Sequence, residues 1–311
     1  MAKPLTRAIR FALNRMGYDL LRLQKTKIHH EAKSGQGRGG GFDAFETIVP
    51  RPIKSFDIIL RSCARVDVLL QDRTRFIGVQ KSELILRCIN SVIRSIRHAM
   101  VNDVGVEISL TILDDHSAPE FVSDLKELLK TCPCKAAYVP LVGTGVGASL
   151  KEAYERGRNC QDIVYFAADD YLHQDSAILE TIQTFARLSA VMGSEIALFP
   201  SDYPPNYRTV VPSIIMLGSH RHWREVDGST GADVISVATL KKYWDIYMAF
   251  TKYGTSADIT EKTTINHIFK DVPCFTPLPS LSVHFQHFET LSPYFDWEKW
   301  WQASALEKPS S

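Results

Sequence analysis

Two pairs of adjacent carboxylates stand where a strand is expected to end. Asp114-Asp115 follows the mainly apolar run 106–113, and Asp169-Asp170 follows the mainly apolar run 162–167. Ligands of an open parallel sheet collect at the carboxyl ends of its strands, so both pairs are candidate binding residues. Two adjacent acids repel each other unless a cation or a hydrogen-bond donor lies between them, which favours a binding role for the second pair. For the first pair, helix capping and solvation of a loop explain the acids equally well.

A glycine-rich turn offers a second candidate site. Its sequence, Val142-Gly143-Thr144-Gly145-Val146-Gly147, follows a predicted strand and opens a predicted helix. With Asp169 about twenty residues later, this order resembles the phosphate-binding turn of a dinucleotide or S-adenosylmethionine domain. That turn normally follows the first strand of its domain, whereas two strand-helix units and an acidic pair come before it here. The alternative is that the glycines let the backbone pass close to a nucleotide of another kind.

Short apolar strands alternate with helices in the region that would position these residues. The predicted strands are residues 56–60, 106–113, 136–142 and 162–167, with further candidates at 195–199 and 281–285. The predicted helices are residues 81–98, a helix that starts in the capping box Ser117-Ala118-Pro119-Glu120, and residues 149–158. Such alternation predicts an α/β fold with a mainly parallel central sheet flanked by helices.

The first 27 residues differ from the rest of the chain in charge. They hold seven Lys or Arg residues against the single acid Asp19, whereas the remainder of the chain is mildly acidic. Their apolar residues recur at spacings of three and four and predict one stripe of a helix: Leu5, Ile9, Leu13, Met16, Leu20 and Leu23. A basic amphipathic helix over residues 1–27 can lie on an anionic membrane surface, or it can dock on its own protein or on a partner chain.

The bulk composition is that of a globular protein with a flexible segment near its start. Five glycines within residues 35–41 predict a linker over 28–47, so the folded domain should cover 48–305 and leave 306–311 as a disordered tail. The six cysteines lack the spacing of a disulfide framework, and no apolar stretch reaches the length of a membrane span or a secretory signal. We therefore expect a cytoplasmic protein with reduced thiols. Its acidic body argues against nucleic acid as a partner.

In their order and spacing, these features resemble the family-2-like GT-A glycosyltransferases of the nucleotide-diphospho-sugar transferase superfamily. The resemblance is carried by an opening apolar strand, the helical stretch E-L-I-L-R-C-I-N-S, the run Asp114-Asp115-His116-Ser117, the glycine turn and Asp169-Asp170. It covers residues 56–180 well and 220–295 loosely. It implies a Rossmann-like GT-A domain whose nucleotide-binding half is about 48–180 and whose acceptor half is about 181–305.

The resemblance also implies an activity and a donor site. Enzymes of this family move a sugar from a nucleotide-diphosphate donor to an acceptor with help from a divalent cation, and the resemblance leans towards inversion. Asp114 or Asp115 would accept hydrogen bonds from the base or the ribose, since a carboxylate can take a ring N–H or a sugar hydroxyl. Gly145, Gly147 and Asp169 would lie against the nucleotide.

A metal site is the third implication of the resemblance. Asp170, together with Asp169, would hold Mg²⁺ or Mn²⁺ on the diphosphate, because hard cations prefer oxygen ligands and bring phosphates with them. His284 resembles the late histidine that some GT-A enzymes add to the metal, although a lone histidine on a strand also has a structural explanation. The chain departs from the family at Ala168, where the acidic motif often begins with another carboxylate.

The second half of the domain would supply the acceptor site. If the family pattern holds, His222-Trp223-Arg224 and the region of Asp233 lie near the acceptor. Asp258 and Glu261 are candidates for the base that removes the acceptor proton, or else they are caps and first-turn charges of the helix that follows. Three tryptophans close to the end of the chain favour packing over sugar stacking: Trp297, Trp300 and Trp301.

Three classes of protein remain compatible with these inferences. The first, which we expect, is a glycosyltransferase that acts on a glycan, lipid-linked or small-molecule acceptor, for example in cell-envelope polysaccharide synthesis at the inner face of a membrane. The second is a Rossmann enzyme that binds S-adenosylmethionine or a dinucleotide. The third is a GT-A-like module that binds a nucleotide sugar or a partner without turnover.

Overall fold

The computed structural model of the chain describes residues 49–65, 78–102, 104–208, 212–286 and 288–306, which belong to one compact unit. The predicted amphipathic helix over 1–27 lies outside the described residues, as does nearly all of the linker and of the tail. Within the described residues, no helix is both long enough and apolar enough to cross a membrane.

Strands and helices alternate strictly in the first part of the unit. The elements are β1 (Ser55–Ser62), α1 (Lys81–Val101), β2 (Glu107–Asp114), α2 (Pro119–Lys130), β3 (Lys135–Pro140), α3 (Gly145–Gly157) and β4 (Ile163–Ala168). All four strands begin and end within two residues of their predicted positions. This part holds every element that the candidate donor site needs.

The second part is less regular and mixes short strands with short helices. Its strands are β5 (Tyr171–His173), β6 (Ala197–Leu198), β7 (Ile215–Leu217), β8 (His222–Val226), β9 (Val234–Ser236), β10 (Cys274–Leu278) and β11 (Ser282–His284). Its α-helices are α4 (Ala177–Met192), α5 (Val237–Lys242), α6 (Trp244–Phe250) and α7 (Trp297–Ala303). Single 3-10 segments cover Pro204–Tyr207, Ile265–Lys270 and Phe288–Thr290.

A nine-stranded sheet forms the centre of the unit, in the order β3-β2-β1-β4-β9-β6-β10-β8-β7. The first four strands are mutually parallel. Beyond them β9 runs antiparallel to both β4 and β6, and β8 runs antiparallel to β10. The predicted α/β class is thus confirmed, with the parallel order in the candidate nucleotide-binding half. Outside this sheet, β5 and β11 pair antiparallel as a separate ribbon.

The central strand β1 is apolar on both faces because helices cover both sides of the sheet. Phe56, Ile58 and Leu60 pack with α1 on one face, whereas Ile59 belongs to the core on the opposite face. Burying one such side chain contributes roughly 1.5–3 kcal/mol, so the strand is a major part of the hydrophobic core. The burial fixes the position of the residues that follow at its carboxyl end.

Two local predictions were wrong. The helix after β2 is capped at Ala118, which makes no side-chain cap bond, because the hydroxyl of Ser117 is engaged by Asp114 instead. The capping box therefore does not form. The helix after the glycine turn begins at Gly145, four residues before Ser149, because the turn itself provides the first helical residues. The tryptophans of α7 do pack, as predicted: Trp301 lies against Phe285 and under the Arg87 guanidinium.

Candidate functional site

A cavity of about 360 Å³ opens at the carboxyl ends of the parallel strands. Its wall is formed by residues at the ends of β1, β2 and β4, by the first residue of α1 and by residues around the start of α3. They are Arg61, Ser62, Cys63, Arg65, Lys81, Asp115, Thr144, Gly145, Val146, Ser149, Ala168 and Asp169. The four strands end at the same edge because they run parallel, so distant parts of the sequence meet there. Of the predicted donor-site residues, the cavity brings together Asp115, Gly145 and Asp169.

Asp115 connects the end of β2 to the glycine turn. Its Oδ2 atom accepts a hydrogen bond from the backbone N–H of Gly145 at 2.7 Å, and its own N–H donates to the carbonyl of Ser62 at 2.8 Å. Gly145 has a φ of +86°, a conformation that only glycine adopts without strain. The side chain of Asp115 is largely buried, with Oδ1 beside Nδ1 of His116 at 2.9 Å. The carboxylate is thereby fixed on the cavity wall.

Asp114, by contrast, is directed into the protein. It is 1% exposed and accepts three hydrogen bonds, from the N–H of Ser117 at 3.1 Å, the hydroxyl of Ser117 at 2.5 Å and the hydroxyl of Tyr138 at 3.2 Å. These donors account for the first member of the pair as a turn-forming residue. Only Asp115 of the pair lines the cavity.

Asp169 stands at the end of β4 and closes the cavity on its other side. Its Oδ2 atom accepts a hydrogen bond from the backbone N–H of Cys63 at 2.8 Å. Burial raises the pKa of the Asp169 carboxyl to about 6, the charge of Asp170 adds to the rise, and the cations Lys81 and Arg61 oppose it. A carboxylate that sits between a second acid and two cations is electrostatically poised for a charged ligand.

Asp170 faces the neighbouring ribbon, where it meets His284. The two atoms Oδ2 and Nε2 are 2.8 Å apart, and the other ring nitrogen, Nδ1, lies 2.5 Å from the hydroxyl of Tyr203. The Tyr171 ring stacks on the imidazole at a centroid distance of 4.5 Å with an interplanar angle of 7°. Pairing of β5 with β11 sets this geometry, since it places His284 opposite Tyr171. The imidazole is therefore held on one face and at both nitrogens.

Three cationic residues of the cavity were not predicted from the sequence: Arg61, Arg65 and Lys81. Arg61 comes at the carboxyl end of β1, and its guanidinium lies 3.5 Å from the hydroxyl of Ser149. The sequence does contain a signal for Arg61, because this residue, like the two pairs of acids, stands where a predicted strand ends. Positive charge in a cavity of this kind suits phosphate groups, which lysine and arginine bind well.

The donor set has the composition expected for a cation that is shared with phosphates. Among the described residues, no group of three or more His, Cys, Asp or Glu side chains is arranged around a common centre. Asp170 and His284 nevertheless offer an oxygen and a nitrogen donor 2.8 Å apart. Mg²⁺ is commonly held by one or two carboxylates with substrate phosphates supplying further oxygens. The two residues do not form a closed protein cage, and they would leave coordination positions open to phosphate oxygens.

The predicted acceptor residues differ in exposure. His222 is exposed, whereas the indole of Trp223 is fully buried. Arg224 forms an ion pair with Asp202 at 2.7 Å and lies over the Tyr207 ring at 4.3 Å from the ring centroid. Of these residues, His222 presents its side chain most directly to solvent.

Asp233 lies at the start of β9 and is 1% exposed. Burial raises the pKa of its carboxyl to about 7, the charge of Glu261 adds to the rise, and a hydrogen bond with Ser229 opposes it. Contact between Asp233 and an acceptor would require this carboxyl to be uncovered.

The two base candidates occupy different surroundings. Asp258 is exposed, and its backbone participates in turn hydrogen bonds with Ser256 and Thr263. Glu261 is half-buried. Its negative charge, like that of Asp170, adds to the rise in the pKa of Tyr203 that burial causes. Glu261 is thus electrostatically coupled to the hydroxyl that contacts His284.

The glycine turn does not have the arrangement of a dinucleotide site. In such a site, the acid that follows lies on the strand next to the glycine-bearing strand. Here β3 precedes the turn and β4 carries Asp169, but β2 and β1 lie between those strands. A Cβ atom on Gly147 would come within 2.4 Å of the Thr251 carbonyl oxygen, so this glycine permits close packing of α3 on the end of α6.

Comparison with known proteins finds similarity in solved structures alone. No protein-family model matches the chain. No curated protein matches it either. S. aureus TarS matches 71% of this chain at 14% identity with a TM-score of 0.42, and a TarS form described as 1-349 does so at 17% identity and 0.42. These matches span 35% and 57% of the two TarS chains, so this chain corresponds to only part of them.

A UDP-glucose pyrophosphorylase complexed with UDP-glucose also matches, over 81% of this chain and 97% of its own, at 11% identity with a TM-score of 0.43. Structures of TarS 1-349 exist in complex with UDP and with UDP-GlcNAc. All of these similarities are loose, with TM-scores below 0.5.

Proposed function

We propose that this chain is a glycosyltransferase that takes a sugar from a nucleoside-diphosphate donor. The observation that carries the proposal is the cavity at the ends of β1, β2 and β4, where Asp115 and Asp169 meet three cationic side chains. Carboxylates suit the hydrogen-bond donors of a base or ribose, and cations suit a diphosphate. A ligand that offers both chemistries in one molecule is a nucleoside diphosphate.

Each wall of the cavity has a part in binding the donor. Asp115 accepts hydrogen bonds from the base or ribose, since the N–H of Gly145 holds one carboxylate oxygen and fixes its orientation. Arg61 and Lys81, which both act on the charge of Asp169, lie where they can stabilise the negative charge of the diphosphate. The same two cations would stabilise the departing nucleoside diphosphate as the bond between the anomeric carbon and the phosphate oxygen breaks.

A divalent cation, Mg²⁺ or Mn²⁺, would be held by Asp170 and His284, with Asp169 near by. When bound, it neutralises the departing diphosphate as a Lewis acid, so that no protein acid is required at the leaving group. The hydroxyl of Tyr203 and the ring of Tyr171 hold the imidazole of His284 in place. Fixing a ligand histidine through its second nitrogen is how proteins orient such side chains.

Of the two candidate bases we favour Glu261, because its side chain is half-buried whereas Asp258 is exposed in a turn. It would remove the acceptor proton as the acceptor oxygen attacks the anomeric carbon. Inversion at that carbon and an acceptor site that includes His222 belong to the same proposal. Attachment of residues 1–27 to an anionic membrane would place the site beside a lipid-linked or envelope acceptor.

A ligand screen tests the proposal and separates it from its rivals. Thermal unfolding is followed with UDP, GDP, S-adenosylhomocysteine and NAD, each with and without Mn²⁺, because a ligand that binds only the folded state raises the melting temperature. We expect UDP or GDP to raise it, and to do so more with Mn²⁺. Stabilisation by S-adenosylhomocysteine or NAD instead would replace the proposal with the Rossmann-enzyme alternative.

A second step separates an enzyme from a binding module. Hydrolysis of a panel of UDP and GDP sugars is measured over hours with Mn²⁺ present, using release of the nucleoside diphosphate as the signal. Binding without any release from any sugar, in the presence of mixed glycan acceptors, would support the third class, a module without turnover.

A further inference from the structure

A pair of cysteines separated by one proline lies apart from the donor cavity. Cys132 and Cys134 belong to the turn between α2 and β3, and neither lines the cavity. Both side chains are partly exposed, whereas Cys88 and Cys274 are fully buried. The turn is held by the N–H of Cys132, which donates to the carbonyl of Leu129 at 3.1 Å.

The two sulfur atoms already face each other. Their Sγ–Sγ separation is 3.5 Å, the length of a thiol hydrogen bond. A disulfide has a sulfur–sulfur bond of about 2.05 Å, so closure requires an approach of about 1.5 Å. The pair lies in a partly exposed turn whose two cysteines pack on the edge of the hydrophobic core, so side-chain rotation with a small backbone shift would supply that approach.

The surroundings make one of the two thiols the nucleophile. A hydrogen bond from Cys134 and, to a smaller extent, the positive charge of Arg97 together lower the pKa of Cys132 to about 7, against the effect of burial. Arg97 is anchored at this turn, since its guanidinium donates to the carbonyl of Thr131 at 2.9 Å. The pKa of Cys134 is raised, chiefly by its hydrogen bond to Cys132, so this thiol keeps its proton.

Cys160 provides a comparison within the same chain. It is partly exposed like Cys132, but burial raises its pKa to about 12, and the carboxylate of Asp57 adds to the rise. Thiolates, not thiols, react with oxidants and alkylating agents. We therefore expect the Cys132 thiol to react faster than the Cys160 thiol, although both are partly exposed.

We propose that Cys132 and Cys134 form a site of reversible oxidation, in which a peroxide converts the dithiol into an intrachain disulfide. The Cys132 thiolate attacks one peroxide oxygen and breaks the O–O bond, giving a sulfenic acid, while the other oxygen takes up a proton and leaves as water. The Cys134 thiol then attacks the sulfenic sulfur and forms the S–S bond. Its proton leaves with the expelled hydroxyl as a second water molecule.

Electrons balance in this sequence, since the two sulfurs together lose two electrons and the peroxide gains them. A dithiol reductant such as dithiothreitol reverses the change by thiol–disulfide exchange. Cys134 also protects Cys132, because rapid capture of the sulfenic acid prevents further oxidation to the irreversible sulfinic acid. The site is independent of the proposed glycosyl transfer.

The test uses the full chain and hydrogen peroxide as the oxidant. After brief treatment at pH 7 and blocking of free thiols, peptide mass spectrometry should find the peptide with both cysteines lighter by two hydrogen atoms, and dithiothreitol should restore it. Before oxidation, iodoacetamide should modify Cys132 at least about tenfold faster than Cys160. Equal rates at the two thiols, or no internal disulfide at any peroxide concentration, would overturn the proposal.

Two variants make the assignment specific. In Cys134→Ser, the oxidised product should stop at a sulfenic acid on Cys132 that dimedone traps, because the thiol that would form the disulfide is absent. In Cys160→Ser, the matched control, disulfide formation should be unchanged. A disulfide that still forms on Cys132 in Cys134→Ser, through another cysteine, would show that the pair is not the site; thermal melting of each variant verifies that it is folded.

Discussion

Oδ2 of Asp170 and Nε2 of His284 are 2.8 Å apart, although 114 positions separate the two residues in the chain. The contact exists because β5 and β11 pair antiparallel, which places His284 opposite Tyr171 and beside Asp170. Two donors brought together in this way can share a cation with an incoming diphosphate. The consequences of removing either donor, or its support, can therefore be measured directly.

Replacement of Asp170 by Asn should weaken metal-dependent nucleotide binding far more than folding stability. The change removes the charge with almost no change in volume, and we expect the affinity for UDP or GDP with Mn²⁺ to fall at least about tenfold. Calorimetric titration with and without Mn²⁺ measures this. The exposed Asp258→Asn variant is the control. An unchanged Mn²⁺-dependent affinity in folded Asp170→Asn would refute the metal assignment.

Removal of one hydroxyl, in Tyr203→Phe, should loosen His284 without disturbing the ring packing. The Tyr203 ring stays on Phe199 at a centroid distance of 5.4 Å, whereas its hydroxyl loses the contact with Nδ1 of His284 and a 2.9 Å hydrogen bond with the hydroxyl of Tyr171. Loss of an orienting partner typically lowers metal affinity about 10–100-fold. Mn²⁺ titration followed by electron paramagnetic resonance, with nucleotide present, provides the measurement. Tyr207→Phe, which loses a bond to Asp202 instead, should bind Mn²⁺ normally.

Replacing the cavity cation Arg61 by Gln should weaken binding of the diphosphate group but not binding of the nucleoside. A hydrogen bond to a charged group contributes about 1.5–3 kcal/mol, so affinity for UDP or GDP should fall roughly 10–100-fold, while binding of uridine or guanosine should hardly change. Competition binding with each nucleoside and its diphosphate tests this. Lys151→Gln, in α3 with a side chain that is 62% exposed, is the matched charge control. Equal loss for nucleoside and diphosphate would contradict the phosphate role.

The buried carboxyl of Asp233 should make stability depend on pH. Its pKa is about 7 in the folded chain and about 3.9 when unfolded, so between these values the folded state binds more protons. The free energy of unfolding should therefore fall as pH rises from about 4 to 7, by an amount on the order of a few kcal/mol, and level off above. In Asp233→Asn this contribution disappears.

Urea unfolding at pH 4.5 and at pH 7.5 measures the Asp233 effect. Relative to the original chain, Asp233→Asn should gain stability at the higher pH, whereas the exposed Asp227→Asn should behave like the original. The same pH dependence in Asp233→Asn and in the original chain would show that this carboxyl titrates normally.

Removal of residues 1–27 should abolish binding to anionic vesicles. Their seven basic residues and apolar stripe motivate this expectation, because each basic residue adds about 1 kcal/mol near an anionic surface. Binding should weaken at high salt, since the screening length shrinks from about 10 Å at 0.1 M to about 3 Å at 1 M. Co-sedimentation with neutral and anionic liposomes is the assay. Equal pelleting of both forms of the chain would favour docking on protein.

The sequence allowed the parallel part of the fold to be predicted well, because hydrophobic pattern and strand ends are local signals. The apolar strand ending at Ala168 and the two acids that follow it form one continuous run over residues 163–170. The outcome for Asp114 was not visible, because its three donors include Tyr138 on the neighbouring strand. Which acid of a pair faces the cavity depends on such tertiary contacts.

The second part of the unit was less predictable for a related reason. Strands such as β6 and β9 have two and three residues, too few for a periodic pattern, and they are stabilised by neighbours across the sheet. The role of Gly147 was similarly hidden, because it depends on the approach of Thr251. Cysteine spacing did not indicate the lowered pKa of Cys132, because Arg97, which contributes to it, lies in α1, far from this turn in the sequence.

The strand order β3-β2-β1-β4 also determines when the donor site can exist during synthesis. Strand β1 leaves the ribosome early, but its partner β4 follows about 100 residues later, which is about 5–20 s at ordinary elongation rates. During that interval one edge of an apolar strand lacks its neighbour, a state that favours aggregation and chaperone capture. Binding of a nucleotide cannot stabilise the incomplete sheet at this stage, because the contact between Cys63 and Asp169 forms only when β4 has joined the sheet.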